Sequence, residues 1–181
     1  MSDQETGKKQ VESIELDPFL EAYEVATGTH LSVVEGGENP DFICLHRDGI
    51  PIGLELTKIT RRRDIVYSER ILGRKEHMSS DQALTEIFSR IEWKEQARKT
   101  RYTARVALSM LVLQLVDGSL DDLRYVLQGL QNQFGDHGFA EIWLADYSGQ
   151  DAYNDIELLG LHPQSRWGYY QRVWPDRKPY G

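Results

Sequence analysis

The run ARVALSMLVLQLVD, residues 104–117, constrains the fold more than any other stretch. Between Leu108 and Leu115 only Ser109 and Gln114 interrupt it. It falls short of the roughly 18 apolar residues that a membrane span needs. A strand with one wet face alternates apolar and polar residues, whereas a near-continuous run marks a strand covered on both faces. The run therefore predicts the centre of a sheet sandwiched between helices, in an α/β domain.

The flanking sequence supplies those helices and further strands. SSDQALTEIFSRIEWKEQARKTRY, residues 79–102, has Ser79 and Gln82 spaced as a capping box and an apolar stripe of Leu84, Ile87, Phe88 and Ile91. SLDDLRYVLQGLQNQFG, residues 119–135, carries Leu120, Leu123, Val126, Leu127, Leu130 and Phe134 at helical spacing, with Gly135 as a stop. FAEIWLADYSG, residues 139–149, reads as another strand. Near the start, LDPFLEAYEVATG predicts a helix with Asp17 as N-cap, Pro18 in the first turn and Gly28 at the exit. Residues 1–11 are expected to be disordered. HLSVVE is a short strand before the turn GGENP.

Two further strands follow in ENPDFICLHRDGIPIGLELTKI, residues 38–59, and their register decides what faces what. A three-residue loop Arg47, Asp48, Gly49, with Gly49 left-handed, pairs Leu45 with Pro51, Ile43 with Gly53 and Asp41 with Glu55. A two-residue loop would instead set Asp41 opposite Leu56. In the first register two carboxylates become cross-strand neighbours, with Cβ atoms about 5 Å apart. Like charges so placed repel, and a divalent cation such as Mg²⁺ or Mn²⁺ would offset that repulsion.

A chain of 181 residues with ordinary composition is expected to form a single domain, residues 1–181. No apolar leader or span is evident, so the chain is read as cytoplasmic, with no membrane partner. Cys44 is the one cysteine, so neither a disulfide framework nor a Cys-based zinc cluster is expected, and the five histidines show no paired zinc-ligand spacing. No nucleophile-elbow sequence supports Ser/His/Asp catalysis.

Net charge is −8, but it is unevenly spread. Residues 1–57 hold 3 Lys/Arg against 12 Asp/Glu, residues 58–105 hold 13 against 7, and residues 106–181 hold 5 against 10. Screening confines such fields to about 10 Å at 0.1 M salt, so the basic middle can face phosphates locally. Arg61, Arg62, Arg63, Arg90, Arg98 and Arg101 are the candidate contacts for nucleic acid, with DNA ahead of RNA. A solvated helix face with a charged loop accounts for the same count. The tail, residues 165–181, interleaves Trp167, Tyr169, Tyr170 and Trp174 with Arg166, Arg172, Arg177 and Lys178. Such a strip suits base stacking, packing over a sheet edge, or a second copy of the chain in a homodimer.

The motif NPDF followed by GLELT, within the order helix, three strands, helix, strand, resembles the PD-(D/E)XK, or restriction-endonuclease-like, nuclease superfamily. The likeness covers roughly residues 12–116. It implies a central mixed sheet flanked by helices, and metal-dependent hydrolysis of phosphodiester bonds with Asp41 and Glu55 as metal ligands. It also implies an acid from the first helix, for which Glu21 and Glu24 are the candidates. The departure is Thr57, which stands where the family has lysine. Strand alternation aims Lys58 at the opposite face from Glu55, whereas Lys94 continues the inward stripe of the next helix, a place to which the lysine has migrated in some members of the family. Lys94 would then stabilise or orient the nucleophile, and Thr57 would hydrogen-bond the attacking water. The rival expectation is a binding or regulatory protein that keeps this fold without catalysis.

Overall fold

The structure, a computed structural model, describes residues 3–61, 78–102, 106–148 and 156–170. Strand β4 (Leu108–Leu115) is the fourth of seven in one mixed sheet, in the order β1 (Leu31–Gly36), β2 (Phe42–His46), β3 (Pro51–Ile59), β4, β5 (Glu141–Asp146), β6 (Glu157–His162), β7 (Gly168–Tyr170). Every residue of β4 after Leu108 is buried, so the continuous apolar run is indeed the sheet centre. Strands β1 to β3 form an antiparallel meander, β3 to β5 run parallel, and β6 and β7 return antiparallel.

Parallel neighbours need crossovers, and helices α2 (Ser80–Arg101) and α3 (Leu120–Leu127) lie in the connections β3 to β4 and β4 to β5. Two crossovers of one hand stepping the same way across a sheet put both helices on one face. There Ile87, Ile91, Leu123 and Leu127 pack on Leu111, Leu113 and Leu144. Helix α1 (Asp3–Thr27) covers the other face, where Leu16, Phe19 and Tyr23 meet Leu54, Val112 and Trp143. The α/β class with helices flanking a mixed sheet is therefore as expected. No helix among the described residues is long and apolar enough to cross a membrane.

Three local expectations are corrected. Helix α1 begins at Asp3, so residues 3–11 are helical and Asp17 is an exposed mid-helix residue, not an N-cap. The stretch before it is rich in Glu, Gln and Lys, which favour helix. Pro18 inside the helix costs about 3 kcal/mol, and burial of Leu16 and Phe19, each contributing about 2 kcal/mol, offsets that cost. Helix α3 stops at Leu127, short of the expected end. Gly129 disfavours continuation, and tight turns with Leu130 N–H donating to the Leu127 carbonyl take over. Finally, β6 and β7 enlarge the sheet beyond the expected set. The first part of the tail is thus sheet and core: Trp167 lies 6.2 Å from Phe134, centroid to centroid. The remaining tail positions, residues 171–181, fall outside the described residues.

Candidate active site

The hairpin fixes the site. Gly49 has φ +78°, Gly49 N–H donates to the His46 carbonyl, and the ladder pairs Leu45 with Pro51, Ile43 with Gly53 and Phe42 with Leu54. The ladder ends there, and Asp41, one step beyond, accepts a hydrogen bond of 2.8 Å from Leu56 N–H at Oδ2. Glu55 sits opposite on β3, beside Leu111 of β4, on the face covered by α2. It is 3% exposed.

Helix α2 is started by Ser79, whose side chain accepts from Gln82 N–H while Gln82 caps Ser79 in return. Its inward stripe runs Ala83, Ile87, Ile91 and then Lys94, so the lysine is only 9% exposed. Its ammonium donates to Glu55 Oε2 and lies 3.4 Å from Asp41 Oδ2. Tyr102, just past the helix, donates its hydroxyl to Glu55 Oε1 at 2.6 Å. Two acids from the hairpin and a lysine and a tyrosine from the following helix therefore meet at one point. Tyr102 escaped the sequence reading, although Ile91, Glu95, Arg98 and Tyr102 prolong the helical spacing of the stripe.

Burial, and then the charge of Asp41, push the Glu55 carboxyl above its ordinary value near 4.5, while Lys94 and the Tyr102 hydroxyl draw it back only in part. The Tyr102 phenol is driven well above its ordinary range by burial and by Glu55, so it remains a donor at any working pH. A carboxyl whose folded pKa exceeds its unfolded one contributes stability that is complete below the unfolded value and lost as pH rises through the folded value. Ionised Glu55 is thus held at a cost near neutrality. Titration of the side-chain carboxyls by ¹³C NMR, with the Glu55 signal assigned by its loss in Glu55→Gln, should give a midpoint above 4.5. A midpoint at or below that value contradicts this electrostatic account.

The other sequence candidates lie elsewhere. Thr57 is buried two residues beyond Glu55 on the same face. Lys58 points to the opposite face and pairs with Glu15 of α1. Glu21 and Glu24 are exposed on α1, across the sheet from Glu55, and Glu24 holds His30 Nδ1 at 2.8 Å. Neither Glu21 nor Glu24 joins the cluster, because Leu16, Phe19 and Tyr23 hold this part of α1 to the other face of the sheet.

The expected basic face is also altered. Arg98 forks onto Glu95 at 2.8 and 3.0 Å and lies over the Phe139 ring, and the Arg61 backbone N–H donates to Asp117 while its guanidinium Nε lies 3.9 Å from the same carboxylate. Burial alone would raise Glu95, yet the hydrogen bonds from Arg98 and Lys99 outweigh it and hold the carboxyl at about 2. Arg90 is half-buried beside Glu86, and Arg101 is exposed. Arg62 and Arg63 lie outside the described residues. Arginines this close to acids are committed within the fold, and of the candidate arginines among the described residues Arg101 and part of Arg90 offer charge to a phosphate.

Comparison with protein-family models, curated proteins and solved structures finds no match for this chain. What the site can do rests on its own chemistry. Its hard oxygen donors suit Mg²⁺ or Mn²⁺, and each carboxylate oxygen has lone pairs beyond those its present donors use. Among the described residues no group of three or more His, Cys, Asp or Glu converges. Mg²⁺ commonly takes one or two carboxylates and fills its other positions with water and phosphate oxygens, so a pair of acids is sufficient. The Lys94 ammonium between the two carboxylates already marks the place where positive charge is stabilised. The residues fit the ion.

Proposed function

We propose that the chain is a metal-dependent nuclease of the restriction-endonuclease-like kind, with Asp41, Glu55 and Lys94 at its centre. One observation carries the reading. The two acids suggested by the motif meet a lysine that reaches them from α2, in place of the lysine missing at Thr57. The order of helix, three-strand meander, helix and parallel strand also accords with it.

Asp41 and Glu55 would hold the cation, with Tyr102 fixing the orientation of Glu55 and Leu56 N–H fixing that of Asp41. A divalent ion held there would supply Lewis-acid polarisation of a phosphoryl oxygen and a water of lowered pKa. Lys94 places its ammonium beside the reacting phosphate and stabilises charge that develops on it. Thr57, two residues along β3 on the same face, would hydrogen-bond the attacking water. DNA is the preferred polymer and RNA the alternative.

A second reading, a binding or regulatory protein that keeps this arrangement without catalysis, draws on Thr57 and on the closure of both Glu55 oxygens by Lys94 and Tyr102. Incubation of purified protein with single-stranded, duplex and branched DNA and RNA separates the two. Cleavage that requires Mg²⁺ or Mn²⁺ is expected, and its absence across the whole set selects the binding protein.

A further inference from the structure

Trp93 leaves more than half of a large aromatic surface open to solvent. It is 53% exposed, while Trp143 is fully buried and Trp167 is packed on Phe134. Its ring lies 5.5 Å from the Lys94 ammonium, the same ammonium that touches Glu55 and Asp41. The indole therefore stands at the mouth of the cluster, with more than half its surface open to solvent. Its neighbours on the helix surface, at three and four residues' spacing, are Ser89, Arg90, Gln96 and Ala97. None is acidic, so a phosphate chain passing there meets no repulsion from them.

We infer that Trp93 is a stacking platform for a nucleobase, so that the site takes nucleic acid with an unpaired nucleotide beside the phosphate at Lys94. The inference rests on the nuclease reading and names its substrate class. Every base offers a π-face to an aromatic ring, and such stacking is insensitive to sequence. In a duplex each base is already stacked on both sides and presents only edges and phosphates, so an indole at the rim gains little from it. Single strands, splayed ends and flaps fit. Continuous duplex does not.

The test uses the full chain and fluorescently labelled oligonucleotides, one single strand and the blunt duplex of the same sequence, with Ca²⁺ present and the strands checked for integrity on a gel. Binding is followed by anisotropy for wild type, Trp93→Phe and Trp93→Ala. Single strand should bind more tightly than duplex. Trp93→Ala should weaken single-strand binding about tenfold and leave duplex binding unchanged, and Trp93→Phe should retain most of the affinity. Equal single-strand affinity for wild type and Trp93→Ala overturns the inference, as does an equal loss on both substrates. Unchanged affinity with an altered sedimentation coefficient in Trp93→Ala assigns the ring to a second copy of the chain, and also overturns it. The two proposals fail separately. Metal-dependent cleavage by a protein whose affinity ignores Trp93 removes only the stacking platform, whereas Trp93-dependent binding without any cleavage removes only the nuclease.

Discussion

Glu55→Gln is expected to abolish metal-dependent cleavage, by about a thousandfold or more, while leaving the chain folded. The amide keeps the shape of the side chain and can still accept from Lys94 or Tyr102, but it lacks the charge that holds a divalent ion. Lewis-acid stabilisation of a phosphoryl group is worth several kcal/mol, and every 1.4 kcal/mol is about tenfold in rate. Circular dichroism and thermal melting establish that the variant is folded, and initial rates on the best substrate give the loss. A folded Glu55→Gln protein that cleaves at the wild-type rate takes Glu55 out of the chemistry.

The second large effect separates two lysines that look alike in the sequence. Lys94→Met should lower both activity and stability, and Lys58→Met should do little to either. Lys94 is almost wholly buried between two carboxylates, and removing one member of such a buried pair costs about 3 to 5 kcal/mol. For a chain of this size that lowers the melting temperature by about 10 °C. Lys58 is about half exposed against Glu15, and such pairs contribute at most about 1 kcal/mol.

The loss in Lys94→Met also has a pH signature. Without the ammonium, Glu55 is pushed still further above its ordinary value, so the folded state holds that proton more tightly than the unfolded chain does. The variant should be least stable near pH 8 and recover toward wild type as pH falls through the Glu55 pKa. Melting curves for both variants across that range check this. Equal losses at the two lysines, or a Lys94→Met deficit that grows in acid, contradict the arrangement.

Much of this site was legible because short-range rules govern it. Gly49 after Arg47 and Asp48 sets the loop, the loop sets the register, and the register sets Asp41 opposite Glu55. Helical periodicity alone turned Lys94 inward. Some of the misses have a tertiary cause. Strand β6 contains Gly160, which weakens a strand locally, but the Arg166 carbonyl occupies the space that a Cβ at that position would need. That reason is tertiary, and no window around residue 160 contains it. The contact of Arg61 with Asp117, 56 residues away, is hidden in the same way. The Glu95 to Arg98 pair was not hidden, since three-residue spacing on a helix already suggests it. The extra length of α1 was obscured by Pro18, whose usual position in a first turn outweighed the helix formers before it.

Whether Asp41 and Glu55 form a cation site is tested, without any choice of substrate, by calorimetric titration of Mn²⁺ into wild type and Glu55→Gln. Saturable binding by the wild-type protein is expected near pH 8, weakening as pH falls through the raised Glu55 pKa, with no binding by Glu55→Gln. Absence of binding by the wild type, or binding of equal strength in the folded Glu55→Gln protein, would contradict it.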